Sequence, residues 1–194
     1  MCQFKSAILL KDRVYFSNKT ESHIEMLEEL KIADTQRNAE TKFVRVELIP
    51  KENDAFSDIN SWKFVVDQDI LPNWFVKEYD ESRMREAVKV WAKSHIFISV
   101  DDLQLSNGIF YLKDCKNARF VNSTSKHWGN STSKHHDNST SEHWDNSIAY
   151  IPEYSSVKYE SIVLMENSTL KDSRSKTIYQ SGRWNLVLVN KKEG

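Results

Sequence analysis

Cys2 is the residue of this chain whose type and position best suit nucleophilic chemistry. Removal of Met1 would leave Cys2 at the N-terminus, beside an α-amino group whose pKa is ~8. That amine can act as general base for the thiol, as in enzymes that cleave or transfer amides with an N-terminal nucleophile. The alternative is that Cys2 is a small apolar residue, buried where a strand begins. Cys2 is therefore a candidate catalytic residue with this alternative open.

His23 is the second candidate catalytic residue. It lies in the first turn of a predicted helix, where the helix dipole disfavours the protonated imidazole. A neutral imidazole in this position could assist Cys2 as acid or base. The alternative is an ordinary, partly exposed residue where a helix begins.

Polar residues that could bind a ligand lie in a predicted strand and in a Pro-containing loop. Arg45 and Glu47 share one face of the strand, where Arg45 could bind a carboxylate or a phosphate. Asp67, Asp69 and Trp74 lie in the loop, and two carboxylates beside an exposed Trp suit ligand binding. The alternatives are the solvent-facing side of an antiparallel sheet and a loop anchored by a buried Trp74. All five are candidate ligand-binding residues.

An internal repeat of eight residues begins at Asn122. The three clear copies are NSTSKHWG, NSTSKHHD and NSTSEHWD, at residues 122–129, 130–137 and 138–145. Ser, Thr and Asn are poor choices inside a helix, so each copy is typical of a short strand and a turn. Coils of such units stack into a β-solenoid with ladders of identical side chains. The alternative is a disordered low-complexity linker.

The alternation within each copy predicts which side chains face the solenoid interior. Ser123 and Ser125 fall on one face and Thr124 on the other. In later units Ile, Val and Leu replace Ser at the inward positions, as capping coils require. Asn at each boundary suits a turn, because Asn tolerates the left-handed region. Two units per coil is one geometry that fits, and the sequence does not fix it.

Histidine recurs in every copy, and a solenoid would stack imidazoles that repeat in register. His127, His135 and His143 would then be candidate ligands for Zn²⁺ or a similar metal. However, no Cys or carboxylate completes a tetrahedral set, and two units per coil would place neighbouring histidines on opposite sides. We therefore expect no metal and no other cofactor, and these three histidines are the residues that would ligate a metal if one were bound.

The residues that follow these histidines, Trp128, His136 and Trp144, form a second series. Facing outward, they would make an aromatic stripe for partner recognition. Facing inward, they would supply the hydrophobic contacts that the polar repeats otherwise lack. The polarity of the repeats favours the inward orientation. If the side chains face outward instead, Trp128, His136 and Trp144 are candidate partner-binding residues.

The first hundred residues predict a fold of a different kind. Alternating apolar residues predict strands at residues 4–10, 13–17, 43–48 and 62–66. Ser22 and Asp80 are expected to cap two helices. The predicted architecture is mainly β, with an α+β head at residues 1–104, a β-solenoid at residues 105–190 and a tail at residues 191–194.

The composition excludes several classes of protein. The chain has 194 residues, 27 basic and 28 acidic, and a formal net charge of −1, so no strong positive field favours non-specific nucleic-acid binding. Two cysteines do not make a disulfide-rich secreted scaffold. No apolar run approaches the ~20 residues that cross a bilayer, and the N-terminus lacks the features of a signal peptide. We expect a cytoplasmic protein without a membrane partner.

Several segments together resemble a poorly characterised family found in phages, prophages and gut bacteria. The segments are MCQFKSAILL, the Ser22-His23 pair, FVRVEL (residues 43–48), DQDILPNWF (residues 67–75) and the short Ser-rich repeats. Members of that family join a head beginning Met-Cys to a variable number of repeats, and the resemblance covers most of the chain. The repeats depart from the commoner pattern, which has a β-branched or Met residue where this chain has Ser125 or Trp128. The resemblance implies a phage-type protein that acts in the host cytoplasm.

Two functions are expected from these features. The first is a binding or assembly protein that engages a host protein or a small molecule, with the solenoid as a rigid scaffold or a surface for homo-oligomerisation. Counter-defence against a bacterial immune system is one use that the resemblance implies. The alternative is an amidohydrolase or amidotransferase with Cys2 as nucleophile, supported by His23 and Arg45. The start Met-Cys resembles class II glutamine amidotransferases, although their glycine-rich continuation is missing here.

Overall fold

The computed structural model describes residues 5–152, 155–157, 162–165, 167–173, 177–181 and 186–190. Cys2 lies outside these residues. The chain divides into two compact units, Met1–Ser94 and His95–Gly194, which we call the head and the solenoid unit. Among the helices described, none is both long enough and apolar enough to span a membrane.

The head is built on a four-stranded antiparallel sheet. Its strands are β1 (Lys5–Leu10), β2 (Val14–Tyr15), β3 (Phe43–Ile49) and β4 (Lys63–Val66), in the spatial order β2-β1-β3-β4. The helices are α1 (His23–Glu29), α2 (Gln36–Ala39) and α3 (Lys77–His95), with short 3-10 turns at Lys51–Asn53 and Ile59–Ser61. The four strands predicted from alternation are confirmed.

Helix α1 packs on the sheet face to which alternate residues of β1 and β3 contribute. The buried cluster beneath it is Ile8, Met26, Leu27 and Phe43. The helix begins where the sequence predicts, because Ser22 caps it and accepts a hydrogen bond from the Glu25 N–H at 3.5 Å. Since Arg45 and Glu47 alternate in phase with Phe43 along β3, their side chains lie on the same face as α1.

The prediction that Asp80 caps a helix is wrong. Helix α3 begins three residues earlier, and Asp80 is buried inside its first turn. There its carboxylate accepts a hydrogen bond from the Val76 N–H at 2.8 Å and forms an ion pair with Arg83 at 2.7 Å. The helix buries an apolar face formed by Met84, Val88 and Trp91.

The solenoid unit contains a β-solenoid of about four turns over residues 96–150, which confirms the fold predicted from the repeat. In chain order its strands are β5 (Ile96–Ile98), β6 (Gln104–Ser106), β7 (Ile109–Lys113), β8 (Ala118–Val121), β9 (Thr124–Trp128), β10 (Thr132–His136), β11 (Thr140–His143), β12 (Ile148–Ile151), β13 (Ile162–Leu164), β14 (Thr169–Asp172), β15 (Thr177–Ser181) and β16 (Leu186–Asn190). The odd-numbered strands from β5 to β13 form one parallel sheet, which we call the odd sheet. Strands β6 to β14 with even numbers form the even sheet, which β15 and β16 extend as antiparallel strands.

Each coil contains two of the eight-residue units. Ser125 pairs with Ser141 in the odd sheet, and Ser133 pairs with Ala149 in the even sheet. Copies that are adjacent in sequence therefore lie on different sheets, and every second copy stacks. The geometry of two units per coil is confirmed.

The corners of the coils use left-handed backbone. The eighth residues of the three copies, Gly129, Asp137 and Asp145, have φ angles of 65°, 52° and 55°. The prediction that the boundary Asn takes this conformation holds only at Asn122, with φ of 50°. Gly129 also meets a steric demand, because a side chain there would collide with the Asp114 carboxylate.

The solenoid interior has a polar layer between two apolar layers. The first apolar layer is Phe110, Leu112, Cys115, Ala118 and Phe120, and the last is Ala149, Ile151, Val157, Ile162 and Leu170. Between them Ser123 and Ser125 are buried while Thr124 faces outward, as predicted. The inward replacement of Ser by apolar residues in later units is also confirmed where the structure describes them.

Candidate functional site

The head contains a pocket of about 610 Å³, which we call the head pocket. It is lined by Glu21, Ser22, His23, Ile24, Asp34, Arg45 and Asp67. Three of the residues predicted from the sequence, His23, Arg45 and Asp67, thus meet in one place. They come from α1, β3 and the segment that follows β4.

Backbone and side-chain hydrogen bonds fix the segment that carries Asp67. The Asp67 N–H donates to the Arg45 carbonyl at 2.9 Å, which extends the pairing of β3 with β4 by one residue. The Arg45 N–H in turn donates to the Gln68 side chain at 3.0 Å. These bonds place the Asp67 carboxylate beside the first residue of α1.

His23 is held by contacts to both of its ring nitrogens. The side chain is 4% exposed, and its Nε2 lies 3.1 Å from the Val46 carbonyl oxygen. A carbonyl only accepts hydrogen bonds, so Nε2 carries the proton and donates it. The other nitrogen, Nδ1, faces the Asp67 carboxylate at 3.1 Å.

Glu47 lies beside His23 and Asp67 but is not one of the residues that line the head pocket. The potential ligand atoms of these three residues all lie within 4.8 Å of one another. Glu47 is 6% exposed. Among the residues that the structure describes, none donates a hydrogen bond to its carboxylate or forms an ion pair with it. A largely buried carboxylate without such a partner is a suitable ligand for a cation.

The charges around the head pocket are predominantly negative. Glu21 forms a buried ion pair with Lys5 at 2.7 Å and accepts a hydrogen bond from the Ser6 N–H at 2.8 Å. Burial raises the pKa of Glu21, and the nearby Glu47 charge raises this pKa further. Arg45 forms an ion pair with Asp34. Together with Asp67 these groups make four carboxylates against two cations, so the site favours a positively charged ligand.

Asp69 and Trp74 do not line the head pocket. Asp69 is exposed, and Trp74 is half-buried with its indole N–H donating to the Thr41 carbonyl at 2.9 Å. This anchoring contact is the alternative that the sequence left open for Trp74. The structure therefore separates these two residues from Asp67, although all three belong to one loop.

Glu21 and Asp34 are site residues that the sequence analysis missed. They lie in irregular segments on either side of α1, where no periodicity indicates the direction of a side chain. The only signal for Glu21 was its position next to the capping Ser22, which is not specific to a binding site. The enzymatic hypothesis depends on Cys2, which lies outside the described residues, and it stays a prediction.

The three repeat histidines form a second cluster, inside the solenoid. His127, His135 and His143 are each 0% exposed, and their potential ligand atoms lie within 4.8 Å of one another. His127 stacks on His143 in the odd sheet with ring centroids 4.3 Å apart. His135 meets both rings edge-on from the even sheet. Histidines of neighbouring copies thus lie on different sheets, as expected. Their side chains nevertheless meet in the solenoid interior.

Serine hydroxyls contact at least one nitrogen of each imidazole in this cluster. The Nε2 contacts, with Ser125, Ser133 and Ser141, are 2.9, 2.8 and 3.1 Å long, and the Nδ1 atom of His143 also contacts Ser147 at 3.2 Å. The Nδ1 atoms of His127 and His135 are buried and have no hydrogen-bond partner. Burial lowers the pKa of His135 to about 3 and holds the pKa values of His127 and His143 well below their usual range. All three imidazoles are therefore neutral near pH 7.

Trp128 and Trp144 lie half-buried on the outer face of the odd sheet. Their rings stack with centroids 4.6 Å apart and planes 3° apart. The inward orientation is wrong for both, because the adjacent histidines take the inward side of each strand. The structure does not bring His136 to them, since His136 lies on the outer face of the even sheet. There it lines a groove of about 410 Å³ together with Arg119, Lys134 and Tyr150.

No protein-family model, curated protein sequence or solved structure matches this chain.

Proposed function

We propose that this chain is a binding protein whose α+β head takes a small, positively charged ligand into the head pocket. The observation that carries the proposal is the convergence of His23, Arg45 and Asp67, from three segments, on one pocket of about 610 Å³. This volume falls within the range of small-molecule sites, about 300–1,000 Å³. The surplus of carboxylates over cations around the pocket gives the sign of the ligand charge.

Each polar residue of the pocket has a distinct part in this proposal. Asp67 is 58% exposed and lies at the open side, where its carboxylate can receive a cationic group from solvent. His23 lies beneath it and is fixed in orientation by the Val46 carbonyl. Arg45 is held by Asp34, so that its guanidinium can bind an acceptor on the same ligand. The β-solenoid serves as a rigid scaffold or as a surface for homo-oligomerisation.

The resemblance to a phage and prophage family supports a wider form of this proposal. In it the protein acts in the cytoplasm of a host cell, where it engages a host protein or a small molecule. Counter-defence against a bacterial immune system is one use of such binding. The charge and volume of the head pocket define the class of ligand that it binds.

Thermal unfolding with a panel of ligands tests the proposed pocket. The panel contains small amines, amino acids and divalent cations, each with the wild-type chain and with Asp67→Asn. A ligand at about 100 times its Kd stabilises the folded state by about 2.7 kcal/mol, which raises Tm by several degrees. We expect at least one member to raise the Tm of the wild type and not that of Asp67→Asn.

Asp69→Asn is the matched control for this experiment. It removes the same charge from the same loop, but Asp69 is exposed and does not line the pocket. The control should respond to the ligand like the wild type. Equal responses from all three proteins, or no response from any, would refute a ligand site at this pocket.

A further inference from the structure

We propose that His23, Glu47 and Asp67 form a binding site for a divalent transition-metal ion at the base of the head pocket. This inference rests on the proposed function and names the class of ligand. One imidazole nitrogen and two carboxylates are donors that suit Zn²⁺, Mn²⁺ or Fe²⁺, whereas Ca²⁺ and Mg²⁺ prefer oxygen alone. The ligand atoms lie within 4.8 Å of one another.

The distances require only a small adjustment to reach coordination geometry. Metal–ligand bonds of about 2.1 Å in a tetrahedral site place the ligand atoms about 3.4 Å apart. His23 and Glu47 are buried, whereas Asp67 is 58% exposed and has room to rotate toward them. Asp67 is therefore the ligand that would close the site around an ion.

The hydrogen bond to Val46 prepares His23 for metal binding. Because Nε2 donates to the Val46 carbonyl at 3.1 Å, the lone pair of the neutral imidazole is on Nδ1. A histidine that ligates a metal ordinarily donates its other ring N–H to a carbonyl or carboxylate in this way. The Nδ1 atom lies 3.1 Å from a carboxylate oxygen of Asp67. An ion bound at this place could therefore take both groups as ligands.

Glu47 provides the second, independent indication of an ion. The residue as a whole is 6% exposed, and the described part of the chain offers its carboxylate neither a hydrogen-bond donor nor an ion-pair partner. The neighbouring cation, Lys5, is already bonded to Glu21. Buried charges in proteins are paired or coordinate metals. A divalent ion shared by Glu47 and Asp67 would supply the missing positive charge.

The site has the open form of a metal centre that also binds exogenous ligands. Three protein ligands leave at least one position of a tetrahedral ion for water or another donor. That position faces the head pocket, where Arg45 can contact a negatively charged group bound to the ion. The pocket would thus hold an ion at its base and a small anionic or neutral donor above it.

Calorimetric titration of the chelator-treated chain with ZnCl₂ and with MnCl₂ tests the site. We expect one ion per chain for the wild type and for Asp69→Asn. Glu47→Gln and Asp67→Asn should bind at least about 10-fold more weakly, because even residues that only orient a metal ligand change affinity about 10- to 100-fold. Visible absorption of the Co²⁺-loaded chain gives a second signal, since His23→Gln should change the d–d bands by replacing a nitrogen ligand.

Two further outcomes separate the ways in which the proposal can fail. Unchanged binding in Glu47→Gln and Asp67→Asn, with loss in His135→Leu, would place the ion in the solenoid cluster and overturn the proposal. Absence of metal binding by the wild type would also overturn it. In that case an amine that raises Tm only when Asp67 is present would leave the proposed function intact.

Discussion

The two histidine clusters of this chain use the same side chain in opposite electrostatic settings. In the solenoid, three imidazoles are enclosed together, and serine hydroxyls are their hydrogen-bond partners. In the head, a single imidazole lies between a backbone carbonyl and carboxylates, beside a pocket. The first cluster excludes charge and the second concentrates it. The recurring histidines of the solenoid pack against one another, whereas the histidine beside Glu47 and Asp67 is the one that we propose as part of a ligand site.

Acidification should break the solenoid cluster, and this is the largest effect that we expect. The unfolded chain titrates its histidines near pH 6.5, whereas His135 in the folded chain stays neutral down to about 3. The unfolded state therefore takes up protons first as the pH falls, and stability that is present above pH ~6.5 is lost progressively toward pH ~3. Each pKa unit corresponds to about 1.4 kcal/mol, so His135 alone removes about 5 kcal/mol over this range.

Urea denaturation followed by far-UV circular dichroism between pH 8 and pH 4 measures this loss. His135→Leu should reduce the slope of unfolding free energy against pH by up to about 1.4 kcal/mol per pH unit, one proton's worth. His136→Asn is the matched comparison, because His136 lies on the outer face of the even sheet and burial lowers its pKa less than that of His135, so its removal should reduce the slope by less. A slope that stays the same in His135→Leu would show that the buried imidazoles do not drive the acid sensitivity.

Removing one charge from the head should have the second largest effect. Lys5 is 1% exposed, and its ammonium lies 2.7 Å from Glu21 and 4.4 Å from the centre of the Trp91 ring. Lys5→Met keeps the apolar stem but leaves the Glu21 carboxylate without its cation. Removing one partner of a buried ion pair destabilises the folded state by about 3–5 kcal/mol. Because Glu21 is 19% exposed, we expect a loss near the lower end of this range.

The double variant Lys5→Met with Glu21→Gln sharpens this prediction. It removes both charges, so most of the stability lost in Lys5→Met should return, as measured by urea denaturation at pH 7. The comparison with the solenoid then becomes quantitative, because the head loses stability when a charge is removed and the solenoid loses it when charges appear. A double variant as unstable as Lys5→Met would mean that the lost contacts of the ammonium with the Trp91 ring dominate.

The solenoid could be predicted from the sequence because its signal is local and repeated. The period of eight at residues 122–145 gives the strand length, and the alternation of Ser123, Thr124 and Ser125 gives the buried face. The orientation of Trp128 could not be predicted, because a polar array gave no indication that histidine would occupy the interior. Histidine fits there only because a serine two residues earlier on the same strand satisfies one ring nitrogen.

The head pocket could be predicted only in part, because it depends on pairing between distant segments. Alternation placed Arg45 and Glu47 on one face of a strand, and the Ser22 cap placed His23 where a helix begins. Only the antiparallel pairing of β3 with β4 brings Asp67 beside them, and spacing along the chain does not contain that information. Asp80 shows the same limit, since a carboxylate that bonds the N–H before a helix resembles a cap in the sequence.

Replacing one ring of the stacked tryptophans should give the smallest effect, about 2 kcal/mol, from the ring contact and the half-buried apolar area together. Trp128 and Trp144 stack at 4.6 Å on the outer face of the odd sheet, and an aromatic pair contributes about 0.5–1.5 kcal/mol beyond its buried area. Trp144→Ala should lower the free energy of unfolding accordingly and remove the exciton couplet of the two indoles from the circular dichroism spectrum. Trp74→Ala is the control, because Trp74 lies in the head and bonds Thr41, so the couplet should persist in that variant.

Loss of the histidine-dependent pH slope in Trp144→Ala would contradict the distinction between an outer face that adds contacts and an interior that sets stability. With that slope unchanged, the imidazole layer accounts for the acid response of the solenoid without its aromatic surface.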